Sequence, residues 1–124
     1  MQWNFSEQRP IYAQIIEQIK HAVVSGELCA GSRMPPVREL AGEAGVNPNT
    51  MQRALLELER MGLVHAQRTS GRFITENMDM IEQMKAEIAN DKVNEFLHSL
   101  EQLGYTRSQT VELIKNYKEA EKNE

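Results

Sequence analysis

Four residues, Gly45-Val46-Asn47-Pro48, separate two stretches of helical apolar spacing and leave room only for a tight turn. Before them, Pro36 opens a helix that carries Val37, Leu40, Ala41 and Ala44, and Gly45 closes it. After them, a helix begins near Asn49, capped by the side chain of Asn49 or of Asn47. Met51, Ala54, Leu55 and Leu58 form its apolar stripe, and Gly62 ends it. At 100° per residue the stripe falls on one side, with Asn49, Arg53 and Arg60 almost opposite and Gln52 at the flank. Leu56 also lands on the polar side, where it either touches a neighbouring element or is exposed.

The flanking segments complete a recognisable order. Residues 1–9 read as an extended lead-in, with Trp3 and Phe5 anchoring it to a domain surface. Pro10 fits the first turn of a helix whose Ile11, Ile15, Ile16, Ile19 and Val23 recur until Ser25-Gly26. Beyond Gly62, residues 63–66 and 72–75 are two strand candidates around the polar turn Gln67-Arg68-Thr69-Ser70-Gly71, a β-hairpin. Helix, helix, tight turn, helix and hairpin is the plan of a winged helix-turn-helix. In that geometry the second helix of the pair offers its N-terminal residues to base edges in the DNA major groove. The expected fold is therefore mainly α with a small β-hairpin, followed by a short two-helix tail.

The charge balance first argues against a nucleic-acid partner, because the 124 residues carry a formal net charge of −4. Residues 1–75, however, hold eight basic residues against seven glutamates, a net of +1, and seven of the eight are arginines. The remainder holds six basic residues, five of them lysines, against eleven acidic ones, a net of −5. Arginine presents a planar fork of donors suited to phosphates and guanine edges, whereas helix-face lysines mostly solvate. The average thus conceals an arginine-bearing head and an acidic tail. Two regions are expected, residues 1–76 as a DNA-binding domain and 77–124 as a helical dimerisation region.

The residues also resemble a known family. Gly26-Glu27-Leu28, then Gly31-Ser32-Arg33-Met34-Pro35-Pro36-Val37-Arg38-Glu39-Leu40-Ala41, looks like the N-terminal signature of GntR-family transcription regulators. Gly45-Val46-Asn47-Pro48-Asn49-Thr50-Met51-Gln52-Arg53-Ala54-Leu55, Leu58-Glu59 and Gly62-Leu63-Val64 continue it in register. The resemblance spans about residues 10–75. The Asn-Pro-Asn-Thr turn and the two-helix tail are most similar to the YtrA-like subgroup, whose members are typically homodimeric repressors, often encoded beside transporter genes. The resemblance implies that Arg38 grips a phosphate at the start of its helix. It also implies that Thr50 is a recognition-helix hydroxyl and that Gly71 allows close approach of the wing to DNA. Two departures bear on specificity: many members carry arginines where this chain has Pro48 and Gln52, and Arg53 is displaced by one residue from the second of these.

The candidate DNA-binding set is Arg38, Asn47, Asn49, Thr50, Gln52 and Arg53, with Arg68, Thr69, Ser70, Gly71 and Arg72 on the wing. Amides suit adenine, arginines suit guanine or phosphate, and hydroxyls suit phosphate. The bland alternatives are an ion pair of Arg38 with Glu39 or Glu43, and a merely solvated face for the others. Arg33 and Arg60 are evenly balanced between the two, and Tyr12 reads as half-buried packing with its hydroxyl near a phosphate.

The segment from Met78 to Leu103 lacks Pro and Gly and keeps a helical period with one irregular step between Ile88 and Val93. At 1.5 Å per residue such a helix runs about 39 Å. Gly104 ends it, and Thr106 with Gln109 has capping-box spacing for a last helix carrying Val111, Ile114 and Tyr117. A long amphipathic helix with one short partner cannot bury its stripe alone. Either it folds back on the head or it pairs with another chain, and two-half-site recognition favours pairing. The expected homodimer interface comprises Ile81, Met84, Ile88, Phe96, Leu97, Leu100, Val111 and Ile114.

Other chemistry has little to stand on. His21, His65 and His98 are isolated, Met78, Met80 and Met84 read as apolar packing, and Cys29 cannot form an internal disulfide. No cofactor, metal or catalytic constellation is expected, and an aminotransferase-like fusion does not fit in so short a tail. No apolar run spans a bilayer and no signal-peptide pattern opens the chain, so a cytoplasmic protein without membrane contact is expected. The expected partners are a palindromic operator duplex, a second copy of the chain and, where one exists, a small effector held at the dimer interface or between domains. The alternative is a winged-helix protein-interaction module that does not bind DNA.

Overall fold

The computed structural model describes residues 1–118. They fall into two compact units, Met1–Lys85 and a second beginning at Ala86. The last six residues of the expected C-terminal region, 119–124, lie outside the described residues.

In the first unit, α1 (Ile11–Val24), α2 (Val37–Ala44) and α3 (Pro48–Arg60) precede an antiparallel hairpin of β1 (Val64–Gln67) and β2 (Gly71–Ile74). Pro10 and Pro36 both stand one position before their helices, at the N-cap, rather than inside the first turn. Their ψ angles of 137° and 156° are extended, which proline tolerates as easily as a helical ψ. Pro48 does occupy the first turn of α3. Gly45 ends α2 at φ 72°, a left-handed conformation that a side chain would strain.

The strands are displaced by one residue from their expected bounds. Leu63 is spent on leaving α3, its N–H donating to the Leu58 carbonyl at 3.1 Å. The ladder then runs from Val64↔Ile74 to Gln67↔Gly71, which leaves three residues in the turn. A third extended segment lies beside β2. Arg33 bridges Phe73, the Met34 N–H donates to the Arg72 carbonyl, and the Ile74 N–H donates to the Ser32 carbonyl, both at 2.8 Å. The result is a three-helix core with a wing.

The core joins Ile15 and Ile19 of α1, Leu40 and Ala41 of α2, and Met51, Ala54, Leu55 and Leu58 of α3 to Leu63, Val64 and Ile74. The lead-in packs on it as expected: Trp3 and Phe5 stack with centroids 6.0 Å apart and lie against the core. Gln14 holds the lead-in from beneath; its buried amide accepts from the Ser6 N–H at 2.8 Å and donates to the Ser6 and Arg9 carbonyls. A buried amide with its partners satisfied specifies one path for the chain.

α4 (Met78–Glu101) opens within the first unit. Ile81 and Met84, both expected at a dimer interface, are instead taken up by the winged unit: Ile81 is buried in its core, and Met84 packs against that core with Met80. Helical spacing identifies an apolar face but not what covers it. In the second unit, Gly104 follows the end of α4, and Thr106 caps α5 (Arg107–Lys115) through the full capping box expected of Thr106 and Gln109. The Thr106 hydroxyl accepts from the Gln109 N–H at 3.1 Å, and the Gln109 amide oxygen accepts from the Thr106 N–H at 2.9 Å. Tyr117 lies beyond the end of α5. No helix among the described residues is long and apolar enough to cross a membrane.

Candidate nucleic-acid interface

Burial of Met51, Ala54, Leu55 and Leu58 turns the opposite face of α3 outward. That face carries exposed Asn49, Arg53 and Arg60, and Leu56 stands among them half exposed. The two asparagines have different tasks. Asn47 is the N-cap, its side-chain oxygen accepting from the Asn49 N–H at 2.7 Å, so the open choice of cap resolves to Asn47. Asn49 keeps its own side chain for other partners. Pro48 has no N–H and Asn47 satisfies only one donor, so the remaining free N–H groups and the helix dipole favour negative charge at this end. Asn47→Ala is expected to cost about 1 kcal/mol of stability in urea denaturation, the usual loss of an N-cap.

Arg53 is held, not loose. Its guanidinium carbon lies 3.7 Å from the centroid of the Tyr12 ring. Tyr12 is half-buried at the start of α1, so the stack fixes an arginine where α1 meets α3. Pro10, Ile11, Tyr12, Asn49, Thr50 and Arg53 line one groove there. Thr50 and Gln52 are partly buried. Sequence alone makes Tyr12 half-buried packing with its hydroxyl near a phosphate and Arg53 a DNA contact or a solvated side chain; the stack that joins them spans 41 positions without any local signal.

The other arginines divide by partner. Arg38, at the second position of α2, is exposed and forms no ion pair with Glu39, Glu43 or any other described residue. Arg60 is paired with Glu57 one turn away. That side-chain bond pulls the Glu57 carboxyl below its ordinary range and raises Arg60. The pair is present at neutral pH and is lost as pH falls through the lowered Glu57 value, with little effect on stability because both groups face solvent.

On the wing, Arg68 and Thr69 are exposed, Ser70 is half-buried and Gly71 is exposed at φ 98°. Arg72 points the other way: its Nε donates to Glu59 of α3, and only 19% of its side chain is accessible. Arg33 reaches the wing from outside the hairpin, a placement visible only once the third extended segment is known.

In the second unit, Phe96 is 41% exposed, Val111 43% and Ile114 57%. Leu97 and Leu100 are half-buried, as is Ile88. Val93, Leu103 and Leu113 add to the apolar surface that is open to solvent in a single chain.

Comparison with known proteins places this geometry. Residues 11–74 match the profile of the bacterial regulatory proteins of the gntR family. The HTH-type transcriptional regulator YhcF of Bacillus subtilis is 37% identical over 116 residues, covering 94% of this chain and 96% of that one. The HTH-type transcriptional repressor YtrA of the same organism is 46% identical over 68 residues, 55% of this chain and 52% of YtrA. Among solved structures, a GntR family transcriptional regulator from Listeria monocytogenes matches with a TM-score of 0.83 at 34% identity, over 92% of this chain and all of that one. The DNA-binding domain of AraR, solved in complex with operator ORX1, matches at a TM-score of 0.52 and 29% identity, over 60% of this chain and 92% of that one. These relatives are transcriptional regulators rather than enzymes. The chain belongs to the GntR family of bacterial transcriptional regulators, within its YtrA-like subgroup.

Proposed function

We propose that this chain is a homodimeric, sequence-specific DNA-binding repressor of transcription, acting in the cytoplasm on a palindromic operator that controls a transporter operon. The observation that carries the reading is the outward face of α3. Asn49 and the Tyr12-braced Arg53 stand beside an α3 N-terminus whose cap is already supplied by Asn47. The operator complex of AraR supports a DNA ligand for this fold, and the repressor YtrA, 46% identical over the matched residues, supports repression.

In this reading residues 1–76 are the reading head and 77–124 the dimerising region, with Ile81 given over to the core. The N-terminal half of α3 enters the major groove, where Asn49, Gln52 and Arg53 meet base edges and Thr50 meets backbone. Arg38 and the wing, through Arg68, Thr69 and Ser70, clamp phosphates on either side. A second copy covers Phe96, Leu97, Leu100, Val111 and Ile114 and sets the separation of two half-sites.

The test is a fluorescence-anisotropy titration of the full chain with duplex DNA at several salt concentrations. Phosphate contacts predict affinity falling steeply with salt, by nearly one unit of log–log slope for each phosphate neutralised. A flat response, or no binding to any duplex, would instead support a winged-helix protein-interaction module. Within the same assay, Arg53→Ala is expected to lose about 1–3 kcal/mol on a cognate site if the arginine reads a guanine. Equal affinity of the variant and the parent chain on that site would remove Arg53 from the set of base contacts.

A further inference from the structure

Pairing in the ladder places Val64, Ala66, Arg72 and Ile74 on one face of the wing and His65, Gln67, Gly71 and Phe73 on the other. The first face is the inner one: Val64 and Ile74 are buried in the core, and Arg72 is drawn onto Glu59. The second face looks outward, with His65 exposed and its ring stacked on Phe73 at 6.0 Å.

Arg33 bridges Phe73 from the neighbouring segment, so its side chain shares that outward face. It runs diagonally along the face to lie over Gly71. A Cβ built on Gly71 would stand 3.3 Å from Arg33 Nε and 3.4 Å from Nη2. The glycine therefore serves two ends at once: it takes the left-handed turn at φ 98° and leaves the space the guanidinium fills. Arg33 is exposed and has no ion-pair partner among the described residues. None of the four ladder residues on this face, His65, Gln67, Gly71 and Phe73, is acidic, and the Glu76 carboxylate lies against Gly31 on the segment that carries Arg33. An arginine fixed by a backbone bridge and laid across a glycine is a preorganised donor fork facing solvent.

We infer that Arg33, supplied from outside the hairpin, joins Arg68 as an arginine with which the wing holds the DNA backbone, and that Arg72 is instead a structural tie between wing and α3. This rests on the DNA-binding reading above. A phosphate is the ligand favoured, because the guanidinium lies against exposed Gly71, at the base of the turn, instead of projecting beyond the turn as a probe of a narrow groove would.

The experiment titrates the full chain and its Arg33→Gln, Arg33→Met, Arg33→Lys and Arg72→Gln variants against two unrelated 30-base-pair duplexes, one A·T-rich and one G·C-rich, across a salt series, with thermal unfolding of each variant. Arg33→Gln and Arg33→Met are expected to weaken binding severalfold on both duplexes alike and to lower the log–log salt slope by about 0.9. Arg33→Met keeps the stem over Gly71, so an equal loss assigns the effect to charge; Arg33→Lys is expected to restore the slope. Arg72→Gln is expected to lower the melting temperature by leaving Glu59 without its partner. An unchanged slope in Arg33→Gln while the parent chain binds would overturn the inference and leave the DNA-binding reading intact. So would a fall in slope with Arg72→Gln but not with Arg33→Gln, or a loss confined to the A·T-rich duplex, which marks minor-groove reading. Absence of binding by the parent chain would overturn both.

Discussion

Leu58→Ala is expected to destabilise the winged unit by about 2–5 kcal/mol, the usual range for truncating a buried leucine to alanine. Leu58 is 0% exposed and lies where the stripe of α3 meets the core. Its carbonyl also receives the Leu63 N–H as the chain turns toward the wing. For a unit of this size each kcal/mol moves the melting temperature by roughly 4–8 °C, so the loss is readable by thermal or urea denaturation. Leu56, two positions earlier and 50% exposed, supplies the contrast. Leu56→Ala is expected to change stability by no more than about 0.5 kcal/mol, as at most surface sites. Comparable losses in the two variants would mean that α3 presents a different face to the core.

The second large effect concerns assembly. Phe96 and Ile114 are exposed in a single chain, so acidic substitution there removes little of the chain's own packing. If a second copy covers them, Phe96→Glu combined with Ile114→Glu buries two unpaired carboxylates from each subunit in the interface, and the dimer fails. Sedimentation velocity is expected to show a monomer. Affinity for a duplex with two half-sites is expected to fall about a hundredfold or more, since the second half-site then no longer binds as an intramolecular event. Affinity for a single half-site is expected to hold. A dimer that survives both substitutions would place the interface elsewhere.

Much of the head was legible because its signals are local. Apolar spacing in α1, α2 and α3 points each helix inward, and Gly45, Gly62 and Gly104 stop the helices where left-handed backbone is needed. The capping box of Thr106 and Gln109 is a pattern four residues long and appears as read. What stayed hidden depends on elements meeting in space. Arg72 with Glu59, Arg53 with Tyr12 and Arg33 with Gly71 join positions 13 to 41 apart, and nothing in the intervening chain announces them.

Ile81 shows the same limit from the other side. Its helical period was clear, yet the period of an amphipathic helix is identical whether its stripe is covered by its own domain or by a second copy. The net charge of the whole chain was the least informative quantity of all. Averaging over 124 residues cancelled an arginine-bearing head against an acidic tail, and only the local disposition of arginines bears on what the surface can hold.

The most direct test of the central claim is selection of bound duplexes from a random pool by this 124-residue chain. The account predicts an enriched inverted repeat whose half-sites have centres about one helical turn, or a whole multiple of it, apart, as a two-fold dimer carrying one α3 per subunit requires. A pool that remains random after repeated rounds would contradict it.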